Sequence, residues 1–316
     1  MRTFSTDDLP AKDRFDHWVE VRGKQLFGVT IELERAKRHD FRGLFSATAV
    51  GGATLAEMYA STYHVSRTRA DIARMPGDSL CISEQVRGPG WMDIGRGRVH
   101  SVANSTLVVS HSDMPYAAIP KRTDGFHFRA LKIPLAGQEQ LGDGARNLEH
   151  EPLVQGLRLT KLISAGFAAL FEHGARMVDP SAAVTNLGQL ALLARGRVAP
   201  GSPESRIALH FGQFHAARQT LVQNLHRSDL SPALVATLLG LSVRQIHVLF
   251  EPSGESFSRT VSRLRLAEAH KQLRLDPNRP VADIAFSCGF DSLATFYRVF
   301  RRTYGLTPRD VRAGES

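Results

Sequence analysis

The chain is poor in the residues on which secreted, metal-dependent and membrane proteins rely. Only two cysteines, Cys81 and Cys288, occur in 316 residues. That excludes a disulfide scaffold and predicts a reduced, cytoplasmic setting. No H-x-H triplet occurs among thirteen histidines, so a common opening of a histidine-based metal site is missing. His64, His100, His111 and His127 are scattered, and no metal or cofactor is expected. The stretch Gly95-Arg96-Gly97-Arg98 is too short for a phosphate loop and lacks its lysine pattern. No Ser-His-Asp or Cys-His context stands out, so no catalytic residue is assigned. Residues 1–8 carry no apolar signal core. The longest uncharged run, residues 180–194, is too short and too polar to span a bilayer. Asn104-Ser105-Thr106 fits the glycosylation pattern, but without a secretion signal it carries no weight.

What is abundant is positive charge, and it is unevenly placed. The formal net charge is +9, and residues 206–316 hold 15 Lys and Arg against 9 Asp and Glu. About a third of the chain therefore carries two thirds of the excess, which points to a polyanionic partner at that end. The length predicts two domains, and a hydrophobic content of 42% is ample for packed cores.

The stretch 284–302 reads as two helices around a tight turn. Ile284 and Ala285 close a short apolar helix, Gly289 supplies the turn and Ser292 is a good N-cap for the next helix. Phe296, Val299 and Phe300 fall at i, i+3 and i+4 as one apolar stripe, opposite Ala294, Thr295, Arg298, Arg301 and Arg302. This is the pattern of a helix-turn-helix DNA reader. An earlier copy spans 235–250. There Ala236, Gly240, Leu241, Ser242 and Phe250 match Ala285, Gly289, Phe290, Ser292 and Phe300, with Asp291 as one extra residue in the second turn. Ile246, Leu249 and Phe250 repeat the stripe, and repetition of the whole plan raises it above a chance motif.

These residues resemble the AraC/XylS family of transcription regulators. The hallmark of that family, G-F-x-x-x-x-x-F-x-x-x-F followed by G-x-x-P, is met by Gly289, Phe290, Phe296, Phe300, Gly305 and Pro308. The connecting segment fits through Gly254-Glu255-Ser256-Phe257 and residues 265–273. The resemblance covers roughly residues 206–312. It implies an α+β multidomain chain: an N-terminal cupin-like β-sandwich or jelly roll with flanking helices, and a C-terminal all-α domain with two helix-turn-helix units. It also implies double-stranded promoter DNA and RNA polymerase as partners, a homodimer, and a small-molecule effector of aromatic or amine-derived type. The activity it implies is effector-responsive activation of a catabolic operon. Two other readings stay open: a regulator without a small-molecule effector, and a cupin-like enzyme fused to a DNA-binding domain.

Along the N-terminal part, residues 15–26 read as an amphipathic helix carrying Phe15, Trp18, Val19 and Leu26. Short apolar runs follow at 29–33, 41–50, 53–60, 80–82, 91–94, 107–109 and 126–133, punctuated by glycine and proline. Many short strands of this kind indicate an antiparallel sandwich or barrel. Residues 157–177 and 183–195 read as helices with Leu159, Leu162, Ile163, Phe167 and Leu170 on one face, fitted equally to a dimer contact or to covering the sheet. Segment 198–205 is a linker by composition. The expected domains are thus 1–155, a helical segment 156–197, the linker 198–205 and a DNA-binding domain 206–316. Helices are expected near 207–226 and 256–275, and Ser231-Pro232 marks another helix start.

The stripe logic leaves Arg244, His247 and Val248 exposed on the first recognition helix and Ala294, Thr295 and Arg298 on the second. The family's base-reading positions map onto these same residues. Arg301, Arg302 and Arg265 are expected at phosphates or in ion pairs. Three departures from the family stand out: Val248 where arginine is common, Glu251 where lysine is common, and Pro252, which is expected to shorten the first helix. Candidate effector contacts are His64, Arg69, Trp91 and Tyr116, for stacking, hydrogen bonding or carboxylate pairing.

Overall fold

A computed structural model describes residues 2–251 and 254–313. The chain divides into two compact units, with the boundary between Gly212 and Gln213. The expected shortening at Pro252 lies outside the described residues.

The N-terminal unit opens with strand β1 (Arg2–Ser5) and helix α1 (Ala11–Trp18), which runs on as a π-helical segment (Val19–Phe27). Strand β2 (Thr30–Glu32), a short 3-10 turn (Arg35–Asp40), β3 (Gly43–Val50), β4 (Ala53–Ala60) and β5 (His64–Arg67) follow. Next come helix α2 (Arg69–Arg74), then β6 (Ser79–Arg87), β7 (Gly90–Asp93), β8 (Val99–Val102), β9 (Thr106–His111) and β10 (Tyr116–Pro120). Strands β11 (Phe126–Pro134) and β12 (Glu151–Pro152) complete the β part.

All pairings are antiparallel. One sheet runs β1-β3-β4-β11-β6-β9-β12 and the other β2-β5-β10-β7-β8. Phe15, Trp18, Phe41, Phe45 and Tyr63 form a buried aromatic cluster together with Met58. Trp18 and Phe41 are fully buried, which anchors α1 against the sheet edge.

Arg67 ties β5 to three neighbouring segments. Its Nε donates to the Ser112 carbonyl (2.6 Å), Nη1 to the Phe27 and Gly28 carbonyls, and Nη2 to the Met75 carbonyl and to Asp113. Partial burial would raise the Asp113 carboxyl. The backbone N–H groups of Asp78 and Gly77, with Arg67, outweigh that and hold it below the usual range.

Helices α3 (Arg158–His173) and α4 (Pro180–Ala194) follow. The second starts three residues earlier than its apolar pattern suggests, because Asp179 caps it and Pro180 sits at N1. Leu162, Ile163, Phe167 and Leu170 are all buried within this unit. Gly188 of α4 lies against Leu141 and Ile133, and Gly174 lies against Val50 and Leu55. Leu162, Ile163, Phe167 and Leu170 thus pack inside their own unit, and Leu159 of the same stripe is half-buried.

Helix α5 (Pro203–Gln223) begins inside the expected linker. Pro203, Glu204 and Ser205 form its first turn, and Ser202 Oγ accepts from the Ser205 N–H. The boundary between the compact units falls within this helix rather than before it.

The remaining helices are α6 (Pro232–Leu239), α7 (Val243–Phe250), α8 (Phe257–Leu275), α9 (Val281–Ser287), α10 (Leu293–Tyr304) and α11 (Pro308–Ala313). Helix α8 belongs to two cores. Its first half gives Phe257 and Val261 to a cluster with Ala217, Leu221, Val235, Ile246, Leu249 and Phe250. Its second half gives Leu266, Ala269 and Leu273 to a cluster with Ile284, Cys288, Phe290, Phe296, Phe300 and Val311. Burial pushes the Cys288 thiol up to about 11, so it packs as a neutral side chain. Among the described residues no single helix is long and apolar enough to cross a membrane.

Candidate nucleic-acid interface and internal cavity

Each half of the C-terminal unit contains two short helices joined by a tight turn. Helices α6 and α7 are bent by 104°. Ser231 caps α6 by accepting from the Leu234 N–H, and Gly240 ends it at φ 63°. Ser242 opens α7 with a capping box: its hydroxyl accepts from the Gln245 N–H (3.2 Å) and Gln245 Oε1 accepts from the Ser242 N–H (2.8 Å). The second half repeats this design. The Phe290 N–H donates to the Ala285 carbonyl across Gly289, and Ser292 caps α10 by accepting from the Thr295 N–H.

The buried stripes fix which side of each second helix is free. Ile246, Leu249 and Phe250 are buried on α7, and Phe296 and Phe300 on α10, with Val299 partly buried. Arg244, His247 and Val248 are exposed on α7, and Ala294, Thr295, Arg298, Arg301 and Arg302 on α10. Among the described residues, Arg244, Arg298, Arg301 and Arg302 form no ion pair, whereas Arg227 pairs with Asp229 and Arg263 with Glu255. An unpaired guanidinium on an exposed helix face can reach a base edge or a phosphate. The Arg265 guanidinium is already engaged within the protein. Its Nε and Nη2 donate to the Leu225 and Arg227 carbonyls, so it clamps the loop after α5.

In the N-terminal unit, a cavity of about 180 Å³ lies between the two sheets. Alternate residues of three strands line it: Val65 and Arg67 on β5, Cys81, Ser83 and Gln85 on β6, and Phe126, Phe128, Ala130 and Lys132 on β11. Trp91 and Tyr116, two of the four candidates read from sequence, are lining residues. Trp91 stays 41% exposed, at the rim, with Lys121 Nζ 5.8 Å from its ring centre. The Tyr116 ring lies 4.2 Å from that of His150, and burial raises its phenol above the ordinary value.

His64 and Arg69 are not part of this cavity. His64 alternates with Val65 and Arg67 on β5, so its side chain takes the opposite, exposed face. Arg69 is the first residue of α2 and is exposed.

The charged or ionisable lining residues that the sequence reading did not propose as contacts include Arg22, Arg67, Lys132 and His150. Burial, followed by the charges of Arg195 and Arg67, pushes His150 down to about 3, so it is neutral near pH 7. Cys81 is pushed up to about 11 by burial and carries no thiolate. Among the described residues no three His, Cys, Asp or Glu side chains stand close enough to hold a metal ion.

Comparison with known proteins agrees with this geometry. A family described as a helix-turn-helix domain matches residues 235–314. The transcriptional activator NphR of a Rhodococcus species is 33% identical over 91 residues, covering 29% of this chain and 27% of that protein. The HTH-type transcriptional activator RhaS of Enterobacter sp. strain 638 is 37% identical over 87 residues, covering 27% of this chain and 31% of that protein. The chain thus spans under a third of the length of these relatives. The crystal structure of the AraC-like transcriptional activator CuxR shares the fold over 90% of this chain and all of that one, with a TM-score of 0.52 at 20% identity. Residues 235–314 of this chain are thus a helix-turn-helix domain, and the chain shares its fold with the AraC-like transcriptional activator CuxR.

Proposed function

We propose that the protein is a sequence-specific DNA-binding transcription regulator, an activator that responds to a small molecule. The observation that carries this reading is the duplicated helix-turn-helix. Helices α7 and α10 present their unburied faces from two separate cores joined by α8. At about 1.5 Å per residue, the 19 residues of α8 span roughly 28 Å. That length is close to the roughly 34 Å between successive major-groove openings on one face of B-DNA. Arg298 is assigned to a guanine edge, Thr295 and Ala294 to a thymine methyl, Arg244 and His247 to the first half-site, and Arg301 and Arg302 to phosphates. Val248, apolar where the family often has arginine, leaves the first half-site with fewer polar base contacts.

The two-sheet unit supports the sensing role through its cavity. That NphR and RhaS are named activators supports the sign of regulation. RNA polymerase and a second copy of the chain are the remaining partners in this proposal, and the cytoplasm is its setting. The test is genetic and biochemical together. Deleting the gene should lower transcripts from the promoters it serves, and purified protein should retard those promoter fragments. Unchanged transcripts with no retarded fragment would contradict the reading.

A further inference from the structure

The residues lining the two-sheet cavity include three basic side chains, Arg22, Arg67 and Lys132, and no carboxylate. They are not equally satisfied. Arg67 has Asp113 and a set of backbone carbonyls. Arg22 is only 6% exposed, and its Nε and Nη1 find no hydrogen-bond partner among the described residues. Its Nη2 reaches only the Met58 Sδ at 3.6 Å, and its guanidinium lies over the rings of Phe27 (4.9 Å) and Tyr63 (5.7 Å). Lys132 forms no ion pair among the described residues.

A buried guanidinium without an anion is costly, because its hydration is lost and nothing replaces it. Aromatic faces offset part of that cost and no more. The rest of the cavity wall supplies Phe126, Phe128, Met92 and Ala118. The volume, about 180 Å³, is the space of roughly six water molecules.

We propose that this cavity is the site of a small monocarboxylate with an apolar body, its carboxylate held by Arg22 and Lys132 and its body packed among the phenylalanines. The proposal deepens the sensing role given above and specifies the charge of the effector. The amine alternative, left open by sequence, is disfavoured because a cationic head would meet Arg22 and Lys132 with no acid to balance it.

The test is calorimetric titration of the full-length protein with benzoate, phenylacetate and butyrate, against the corresponding amides as neutral counterparts and benzylamine as a cationic one. At least one carboxylate should bind roughly tenfold or more tightly than its amide, and benzylamine should not bind. Arg22→Gln should weaken carboxylate binding by roughly tenfold or more, with Arg22→Lys recovering part of it. If Arg22 variants do not fold, Lys132→Met, at a partly exposed position, should still weaken it. Equal affinity for acid and amide, binding of none of the three acids, or folded Arg22→Gln and Lys132→Met proteins that bind like wild type would each overturn the site. DNA retardation on the same preparations separates the two readings. DNA binding without carboxylate binding overturns the anion site alone, whereas carboxylate binding without DNA binding sinks the regulator reading and leaves the site standing.

Discussion

Gly289 stands so close to Leu225 that a Cβ there would lie 2.2 Å from the Leu225 carbonyl oxygen and 2.8 Å from Arg265 Nη2. Its counterpart in the first repeat, Gly240, has nothing within 4 Å of that position. Both have positive φ, 86° and 63°. Gly240→Ala should therefore cost about 1 kcal/mol, the backbone term alone. Gly289→Ala should cost a further 1–3 kcal/mol or so, because the loop clamped by Arg265 must move. Urea denaturation of the two variants checks this, and equal losses would show that the second turn is not tightly packed.

The exposed arginines at the end of α10 should act without regard to sequence. Arg301→Ala and Arg302→Ala should each weaken all DNAs similarly and reduce the salt dependence of binding by about one unit of slope. Titrations at several salt concentrations measure this. An unchanged slope in both variants would remove these residues from the phosphate contacts.

His150 should make the fold acid-sensitive. Its folded-state value near 3 lies well below the ordinary histidine value of about 6.5. The unfolded chain therefore gains a proton that the folded chain resists. The stability contributed is full above about pH 6.5 and is lost as pH falls from there towards 3. Replacing His150 by Gln should flatten the fall in unfolding free energy between about pH 7 and 5. A parallel fall in variant and wild type would mean that other groups dominate that window.

Helix α5 should be indispensable to the DNA-binding unit. Ala217 and Leu221 are fully buried in the core shared with α6, α7 and α8. A fragment from Pro203 onward should fold and bind DNA, whereas one starting after Gln223 should lose the first half. Thermal melts followed by circular dichroism distinguish them, and equal melting of both fragments would contradict the role of α5.

The second halves of the repeat were readable because their signals are local. Capping serines, turn glycines and apolar stripes sit within a few residues of one another at 231–250 and 284–300. Helix α3, its buried stripe and most long strands were also legible as runs. The cavity was not. Arg22 lies in a π-helical extension whose period differs from that of an α-helix, β5 and β8 are short strands without apolar runs, and β10, Tyr-Ala-Ala-Ile-Pro, is a five-residue stretch closed by proline. With β5 unread, the alternation that turns Arg67 inward and His64 outward had no frame. Lys132 could have been found from β11, where it continues the spacing of Phe126, Phe128 and Ala130. For Arg265 charge alone suggests a phosphate contact or an ion pair, while its carbonyl partners lie 38 and 40 residues away in sequence.

The central claim is that two recognition helices read DNA at once, and selection of bound sequences from a random DNA pool tests it most directly. The wild-type protein should enrich two blocks about one helical turn apart, roughly 10 base pairs centre to centre. Arg298→Ala should relax one base position in one block at a cost of about 1–3 kcal/mol, and Arg244→Ala should affect only the other block. A single enriched block, or enrichment unchanged by either substitution, would contradict it.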